Sequence, residues 1–317
     1  MEKKRNVTYD YVRGLAMLSI IIGHLYFYSG RYVGSIVFQI CDSIQIPVFM
    51  YVSGLLAHVS VDKYGFRKLL SSRVVRLLFP FFSFYVIWGL CDSANWLAFW
   101  EAEFKQGYWF MLVLFELMVT LSLVRQLSLR FGIKSIIVNS SIFALVTAYL
   151  FIIPKGNLFN QLLCINLYWH YYPFFMMGYY SYKLDRFLIL KLAPVYFLLY
   201  IVSFYFYSKG MRAAVVVCNV SSLFFIMTVF STNFKPLKDV FAKIGVNSLQ
   251  VYMLHFFLLY PLVKVLPVVE NRWLEFPYFV AVASALIAVT IGISMLLMKS
   301  DWLAMFLFGI RRKSSLK

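Results

Sequence analysis

Residues 9–24 read YDYVRGLAMLSIIIGH, and this stretch decides the fold. Ten uncharged residues separate Arg13 from His24, and the apolar run continues through LYFY to Tyr28. A helix needs about 20 predominantly apolar residues to cross the hydrocarbon core of a bilayer. The stretch therefore predicts a membrane-spanning first helix over residues 10–29, with ionisable side chains inside it.

The whole chain has the composition of an integral membrane protein. Of its 317 residues 62% are hydrophobic and 14% are charged, whereas soluble domains are about half apolar and a quarter charged. The predicted fold class is all-α, a polytopic membrane helical bundle of about ten transmembrane helices. Because the loops are short, we expect one integral membrane domain over residues 1–317 and no extramembrane domain. The predicted spans are 10–29, 34–60, 80–98, 108–124, 135–153, 161–182, 187–207, 213–232, 245–263 and 277–298.

The net charge of +17 follows a membrane pattern. Basic residues form short clusters between the apolar runs, and 22 of the 30 lysines and arginines fall on one side when the loops alternate. The positive-inside rule then places both termini in the cytoplasm. This patterning argues against nucleic-acid binding. The four cysteines lack metal-ligand spacing, so we expect neither a metal site nor a tightly bound cofactor.

Ionisable side chains inside the spans are the candidate functional residues, because such groups are costly in lipid. Arg13 and His24 are eleven residues apart, which is about three helical turns and about 16 Å along the axis, so they share one face. Asp10 lies one turn before Arg13 and can pair with it. The alternative is that Arg13 reaches the inner interface and His24 makes an interhelical hydrogen bond. The full set is Asp10, Arg13, His24, Asp42, His58, Asp92, Glu116, His170 and His255.

The stretch YDYVRGLAMLSIIIGH resembles the first-helix signature of the acyltransferase family 3 membrane proteins, an Arg-x10-His spacing. The likeness runs in order from about residue 9 to about residue 260. The further segments are IPVFMYVSGLL (46–56), RKLLSSRVVRLLFPFF (67–82), YWFMLVLFELM (108–118) and IGVNSLQVYMLHFFLL (244–259).

The resemblance implies transfer of an acyl group, often acetyl, to sugars of surface polysaccharides, lipopolysaccharide or peptidoglycan. Acetyl-CoA, the expected donor, is cytoplasmic and anionic, so we predict that it binds to Arg13 and to the i, i+3 neighbours Arg73 and Arg76. His24 is the predicted general base for a hydroxyl of a glycan or lipid-linked sugar. A transient acyl-histidine remains an alternative.

Several residues are predicted in secondary roles. Glu116 is a second catalytic candidate that orients His24 or a hydroxyl, or it forms a structural salt bridge. Many family members carry a Trp-Ser-Leu…Glu-Glu pattern there, whereas this chain reads WFMLVLFE. Asp10 supports Arg13. His255 makes a structural hydrogen bond or lines a polar pocket, and Ser53 and Gly54 form a packing contact or a kink beside the acyl path.

A second class of function is a transporter or flippase for a glycan or lipid precursor, which would use buried carboxylates and histidines as proton relays. That class does not account for an arginine and a histidine at different depths on one helix face. The expected location is the bacterial cytoplasmic membrane, with membrane lipids as neighbours.

Overall fold

The computed structural model describes residues 7–91, 96–154, 156–182, 190–231, 235–267, 269 and 271–311, except the side chains of residues 62, 231, 235–237 and 272. All regular secondary structure within these ranges is helical. The helices are α1 Val7–Tyr28, α2 Ile36–Lys63, α3 Phe66–Arg73, α4 Phe79–Cys91, α5 Trp96–Glu101, α6 Trp109–Phe131, α7 Ser135–Ile152, α8 Leu158–Leu162, α9 Ile165–Ser181, α10 Ala193–Ser208, α11 Arg212–Ser231, α12 Lys235–Val246, α13 Ser248–Val265, α14 Arg272–Leu297 and α15 Asp301–Phe308, with a π-helical turn at Val74–Leu78 and a 3-10 turn at Lys105–Gly107.

The predicted fold class, an all-α membrane protein, is confirmed. Within the described ranges eight helices are long and apolar enough to cross a bilayer: Val7–Tyr28, Ile36–Val61, Phe66–Cys91, Trp109–Phe131, Ser135–Ile152, Arg212–Phe230, Ser248–Val265 and Trp273–Leu297. The predicted spans 161–182 and 187–207 correspond to the shorter helices α9 and α10, of 17 and 16 residues. The count of ten and the cytoplasmic termini stay predictions.

The predicted third span, 80–98, has the wrong boundaries. The span begins at Phe66 and ends at Cys91, because α3, the π-helical turn and α4 follow one another without a break. Pro80 lacks a backbone N–H and crowds the preceding turn, and the wider π-helical turn lies directly before it. The Trp96 ring of α5 packs against Gly89 of α4. Asp92 lies outside the described residues.

The chain divides into two compact units. The first comprises Met1–Val52 and Ser181–Leu296, and the second comprises Ser53–Tyr180 and Leu297–Lys317. The prediction of one domain over residues 1–317 stays a prediction.

The first unit is built on α1, which packs along α12 and also contacts α11 and α13. Two glycines set the close approach of α1 and α12. A Cβ on Gly14 would collide with the carbonyl oxygen of Phe241, and a Cβ on Gly245 would collide with the carbonyl oxygen of Asp10. Small residues allow helix backbones to approach in this way in membrane proteins. The crossing fixes the part of α1 that carries Asp10 and Arg13.

The second unit is built on α6, which packs against α3, the π-helical turn and α7. The part of α2 after Val52 approaches α9 closely, because a Cβ on Gly54 would collide with the carbonyl oxygen of Phe175. Helix α15 packs on α4. These contacts position the two arginines of α3 and the π-helical turn, and Glu116 of α6.

Candidate active site

One face of the first helix carries Asp10, Arg13 and His24 and is called the polar stripe. The predicted cationic group lies at one end of it. Helix α1 is unbroken from Val7 to Tyr28, so the three-turn spacing of Arg13 and His24 holds in the structure. The Arg13 guanidinium donates to the Asp10 carboxylate, and the two side chains are 19% and 4% exposed. Arg13 Nε is buried and has no hydrogen-bond acceptor among the described residues. The guanidinium therefore keeps hydrogen-bonding capacity beyond its ion pair.

The other end of the stripe brings together two histidines that are 231 residues apart in sequence. The half-buried His24 ring lies nearly parallel to the His255 ring, at an interplanar angle of 8° and a centroid separation of 5.5 Å. Phe256 packs against the His24 ring with its centroid 5.0 Å away. Within the part of the chain that the structure describes, His24 makes no hydrogen bond. The sequence predicted each histidine separately and gave no sign of this pair.

The His255 ring is neutral, because no ion pair to it is present within the described ranges and an unpaired charge is costly at a fully buried position. Its Nδ1 lies 2.7 Å from the carbonyl oxygen of Tyr252 and 3.1 Å from that of Val251. Carbonyl oxygens only accept hydrogen bonds, so Nδ1 carries the hydrogen and donates it. The His255 side chain is fully buried, and its Nε2 has no hydrogen-bond partner in the described ranges. The two-carbonyl contact fits the predicted structural role of His255, and the bare Nε2 fits its predicted polar-pocket role.

Aromatic side chains are packed around His24. The Tyr28 ring centroid is 6.0 Å from that of His24, and the Tyr260 hydroxyl donates to the Tyr28 hydroxyl at 3.1 Å. Phe256 and Tyr260 stack with their centroids 5.9 Å apart. Rings at such separations are in direct contact. The sequence alone does not indicate these aromatic residues as neighbours of His24.

Polar side chains of α2 pack against α1 at Gly23, next to His24 in sequence. A Cβ on Gly23 would lie 3.2 Å from Gln45 Oε1, so this amide packs against the residue before His24. Gln45 Nε2 donates to Asp42 at 3.3 Å, and the Tyr207 hydroxyl donates to Asp42 at 2.9 Å. Asp42 is thus hydrogen-bonded from both α2 and α10.

The second unit contains Arg73 and Arg76. The sequence predicted them as i, i+3 neighbours on one interfacial helix, but Arg73 ends α3 and Arg76 lies in the π-helical turn. Arg73 is half-buried and its Nη2 donates to Ser60 Oγ at 2.6 Å, whereas Arg76 is exposed. The π-helical turn continues α3 without a break, so the predicted shared face of the two arginines stays a prediction.

Glu116 is half-buried in α6. Its Oε1 is buried without a hydrogen-bond partner, and no ion pair to this carboxylate is present within the described ranges. The predicted structural salt bridge of Glu116 is therefore absent from that part of the chain. A partnerless carboxylate oxygen in a span is compatible with the predicted catalytic role, which stays a prediction.

Lys105, on the 3-10 turn before α6, is wholly buried although the sequence placed it in an outer loop. Its Nζ donates to the carbonyl oxygens of Gln161, Trp100 and Ala102 at 2.5, 2.7 and 2.8 Å. Burial lowers the pKa of the Lys105 ammonium, while the charge of nearby Glu103 opposes that shift. The lysine ties the 3-10 turn to α8.

The remaining candidates lie outside the histidine pair and differ in burial. Gly54 forms the close backbone contact of α2 with α9, and the adjacent Ser53 is half-buried. His58 packs edge-on against Tyr179 with ring centroids 6.1 Å apart. His170 is exposed.

The fold defines a helical membrane protein with ionisable side chains inside its helices. Comparison with known proteins identifies its family. The family model described as an acyltransferase domain, that of acyltransferase family 3, matches residues 6–297, and the chain belongs to that family. The resemblance seen in the sequence is thereby confirmed.

One curated relative is the nodulation protein NolL of Sinorhizobium fredii (strain NBRC 101917 / NGR234). It is 26% identical over 125 residues, a segment that covers 34% of this chain and 33% of that protein. The match thus spans about a third of the relative's length. No solved structure matches the chain significantly.

Proposed function

We propose that this protein transfers an acetyl group from cytoplasmic acetyl-CoA to a hydroxyl of a cell-surface or lipid-linked glycan, in the bacterial cytoplasmic membrane. The observation that carries the proposal is the His24 imidazole, which lies beside a second histidine and three helical turns from Arg13 on the same helix. Membership of an acyltransferase family supports the reaction class.

Arg13 is the proposed contact for the phosphates of the donor. A guanidinium binds phosphate oxygens through paired N–H groups, and Arg13 retains a buried Nε–H beyond its ion pair with Asp10. The pantetheine arm then runs along α1 toward His24, over a rise of about 16 Å. Arg13 and His24 are in this way the two ends of one donor path.

His24 is the proposed general base. Its unprotonated ring nitrogen takes the proton of the acceptor hydroxyl while the hydroxyl oxygen attacks the thioester carbonyl carbon. The carbon–sulfur bond breaks, and the departing CoA thiolate takes the proton back from the His24 imidazolium. The products are an acetyl ester and the free thiol of CoA. Imidazole suits this cycle because its unperturbed pKa lies close to neutral pH.

The predicted roles of Arg73 and Arg76 in donor binding, and of Glu116 in catalysis, stay predictions. They rest on the charge pattern and on the burial of the carboxylate within α6. Each is tested in the same assay as His24, by Arg73→Gln, Arg76→Gln and Glu116→Gln.

The experiment uses membrane vesicles that contain the protein and acetyl-CoA labelled in the acetyl group. We expect label to move into a glycan or glycolipid fraction, and His24→Ala to reduce the rate at least about a hundredfold, the lower end of what a general base contributes. His170→Ala is the matched control, because that histidine is exposed.

Normal transfer by His24→Ala would overturn the proposed mechanism. If no label moves but a glycan precursor crosses the bilayer, the protein is a transporter and the proposed reaction is wrong.

A further inference from the structure

His255 presents a hydrogen-bond acceptor that the proposed mechanism does not use. Its Nδ1–H is held by the carbonyl oxygens of Tyr252 and Val251. The neutral ring can therefore accept a hydrogen bond only at Nε2. This atom is buried, and no donor reaches it within the described ranges. A buried acceptor without a partner is unfavourable, and in native proteins it calls for an explanation.

The neighbours of His255 do not supply that donor. The nearest rings are Phe256, with its centroid at 4.0 Å, and His24, at 5.5 Å. Phe256 has no polar hydrogen, and the His24 ring lies parallel to that of His255 without a hydrogen bond between them. The Tyr260 hydroxyl donates to Tyr28 instead. A donor for Nε2 is therefore expected from the substrate.

We propose that His255 Nε2 binds a second hydroxyl of the acceptor, on the carbon next to the hydroxyl that His24 deprotonates. The acceptor is then a vicinal diol, as on a sugar ring. This assignment rests on the proposed function. A hydroxyl has one hydrogen and donates it to one acceptor at a time. Two adjacent imidazoles, each with an accepting nitrogen, therefore match two neighbouring hydroxyls better than one.

The aromatic side chains beside the histidines fit the same substrate class. Phe256 contacts both imidazoles, and the Tyr28 ring centroid is 6.0 Å from that of His24 and 6.3 Å from that of Phe256. Apolar C–H faces of a sugar can pack on these rings while its hydroxyl edge meets the two nitrogens. His255 keeps its own hydrogen on Nδ1 throughout, so it holds the diol in place and His24 moves the proton.

Two substitutions test the roles of the two His255 ring nitrogens separately. In His255→Asn the amide nitrogen takes the place of Nδ1 and can still donate to Tyr252, but the acceptor at Nε2 is lost. In His255→Gln the longer side chain returns an amide oxygen near the place of Nε2. The full chain is assayed in lipid nanodiscs with acetyl-CoA and a panel of p-nitrophenyl glycosides, each paired with its monodeoxy analogues.

With wild-type protein we expect removal of the hydroxyl next to the acetylated position to lower kcat/KM for the glycoside about tenfold, the factor that accompanies one hydrogen bond of ordinary strength. His255→Asn lowers kcat/KM about tenfold with the intact glycoside and causes no further loss with the deoxy analogue. The KM for acetyl-CoA stays unchanged, and His255→Gln recovers part of the loss.

The assignment is overturned if His255→Asn behaves as wild type. It is also overturned if the loss in kcat/KM caused by His255→Asn and the loss caused by the deoxy analogue multiply when the two are combined. It is also overturned if both variants raise the KM for acetyl-CoA and lower the melting temperature alike, since a purely structural histidine would do that. Failure of the proposed function gives a different result, because the wild-type protein then acetylates neither the glycosides nor any membrane acceptor.

Discussion

The histidine pair of the first unit and Lys105 of the second unit are both polar groups removed from water, but they differ in their hydrogen bonds. Lys105 is 0% exposed, and its ammonium donates to three backbone carbonyl oxygens. His255 is equally buried, yet its Nε2 has no partner within the described ranges, and neither does the ring of His24.

The difference separates a structural role from a chemical one. A buried charge is tolerated when its hydrogen-bonding groups are satisfied, and it then holds the surrounding backbone in place. A partnerless buried group instead weakens the fold slightly and leaves an atom free for substrate. Lys105 therefore has the surroundings of a structural residue, whereas His255 keeps an accepting nitrogen that is available to the proposed reaction.

The largest effect on stability is expected from Lys105→Met. The substitution leaves three carbonyl oxygens without their charged donor, at a cost of roughly 3 kcal/mol in the free energy of unfolding. Thermal unfolding in detergent should show a clear decrease in melting temperature. Lys209→Met is the matched control, because Lys209 is exposed and should leave the melting temperature unchanged. Equal melting temperatures of the two variants would contradict the structural role of Lys105.

The next largest loss of stability is expected from a change in the packing that positions the Asp10–Arg13 pair. In Gly245→Ala the new Cβ meets the backbone carbonyl of Asp10, and such overpacking costs about 1–3 kcal/mol. Displacement of α12 from α1 should also raise the KM for acetyl-CoA. Gly292→Ala, in α14, is the control, since a Cβ there meets no atom within 4 Å. If both variants match the wild type in melting temperature and KM, α1 and α12 do not cross as described.

The smallest expected change in stability comes from a comparison of two arginines. Arg31 is satisfied by Glu275 at 2.9 Å and by the carbonyl oxygen of Val269 at 2.7 Å. Arg31→Gln should cost no more than about 1 kcal/mol, as partly exposed ion pairs do, and should leave the kinetics unchanged. Arg13→Gln should instead raise the KM for acetyl-CoA several-fold. Steady-state kinetics with acetyl-CoA as the varied substrate checks the pair, and an unchanged KM for Arg13→Gln contradicts its role.

The sequence alone was sufficient to predict the class of fold and the polar stripe on the first helix. Both rest on local properties, the length of the apolar runs and the 100° step of an α-helix, and α1 is continuous as predicted. The third span was misplaced because its first part is basic and its helix changes type before Pro80. The local sequence contains no signal that predicts the π-helical turn.

The contacts within the site could not be predicted from the sequence. The pairing of His24 with His255 depends on how α1 packs against α13, and the sequence contains no local signal for that register. The burial of Lys105 depends on a backbone with φ of 45° and 51° at Lys105 and Gln106, which non-glycine residues rarely adopt. A lysine between two apolar runs is ordinarily a loop residue.

The most direct test of the account compares His24→Ala with Lys105→Met in one preparation, by measuring the initial rate of acetyl transfer per folded molecule alongside the melting temperature. We expect His24→Ala to melt as the wild type does and to lose at least about a hundredfold in rate, and Lys105→Met to melt earlier and keep its rate per folded molecule. A His24→Ala protein that transfers acetyl groups at the wild-type rate would contradict the account.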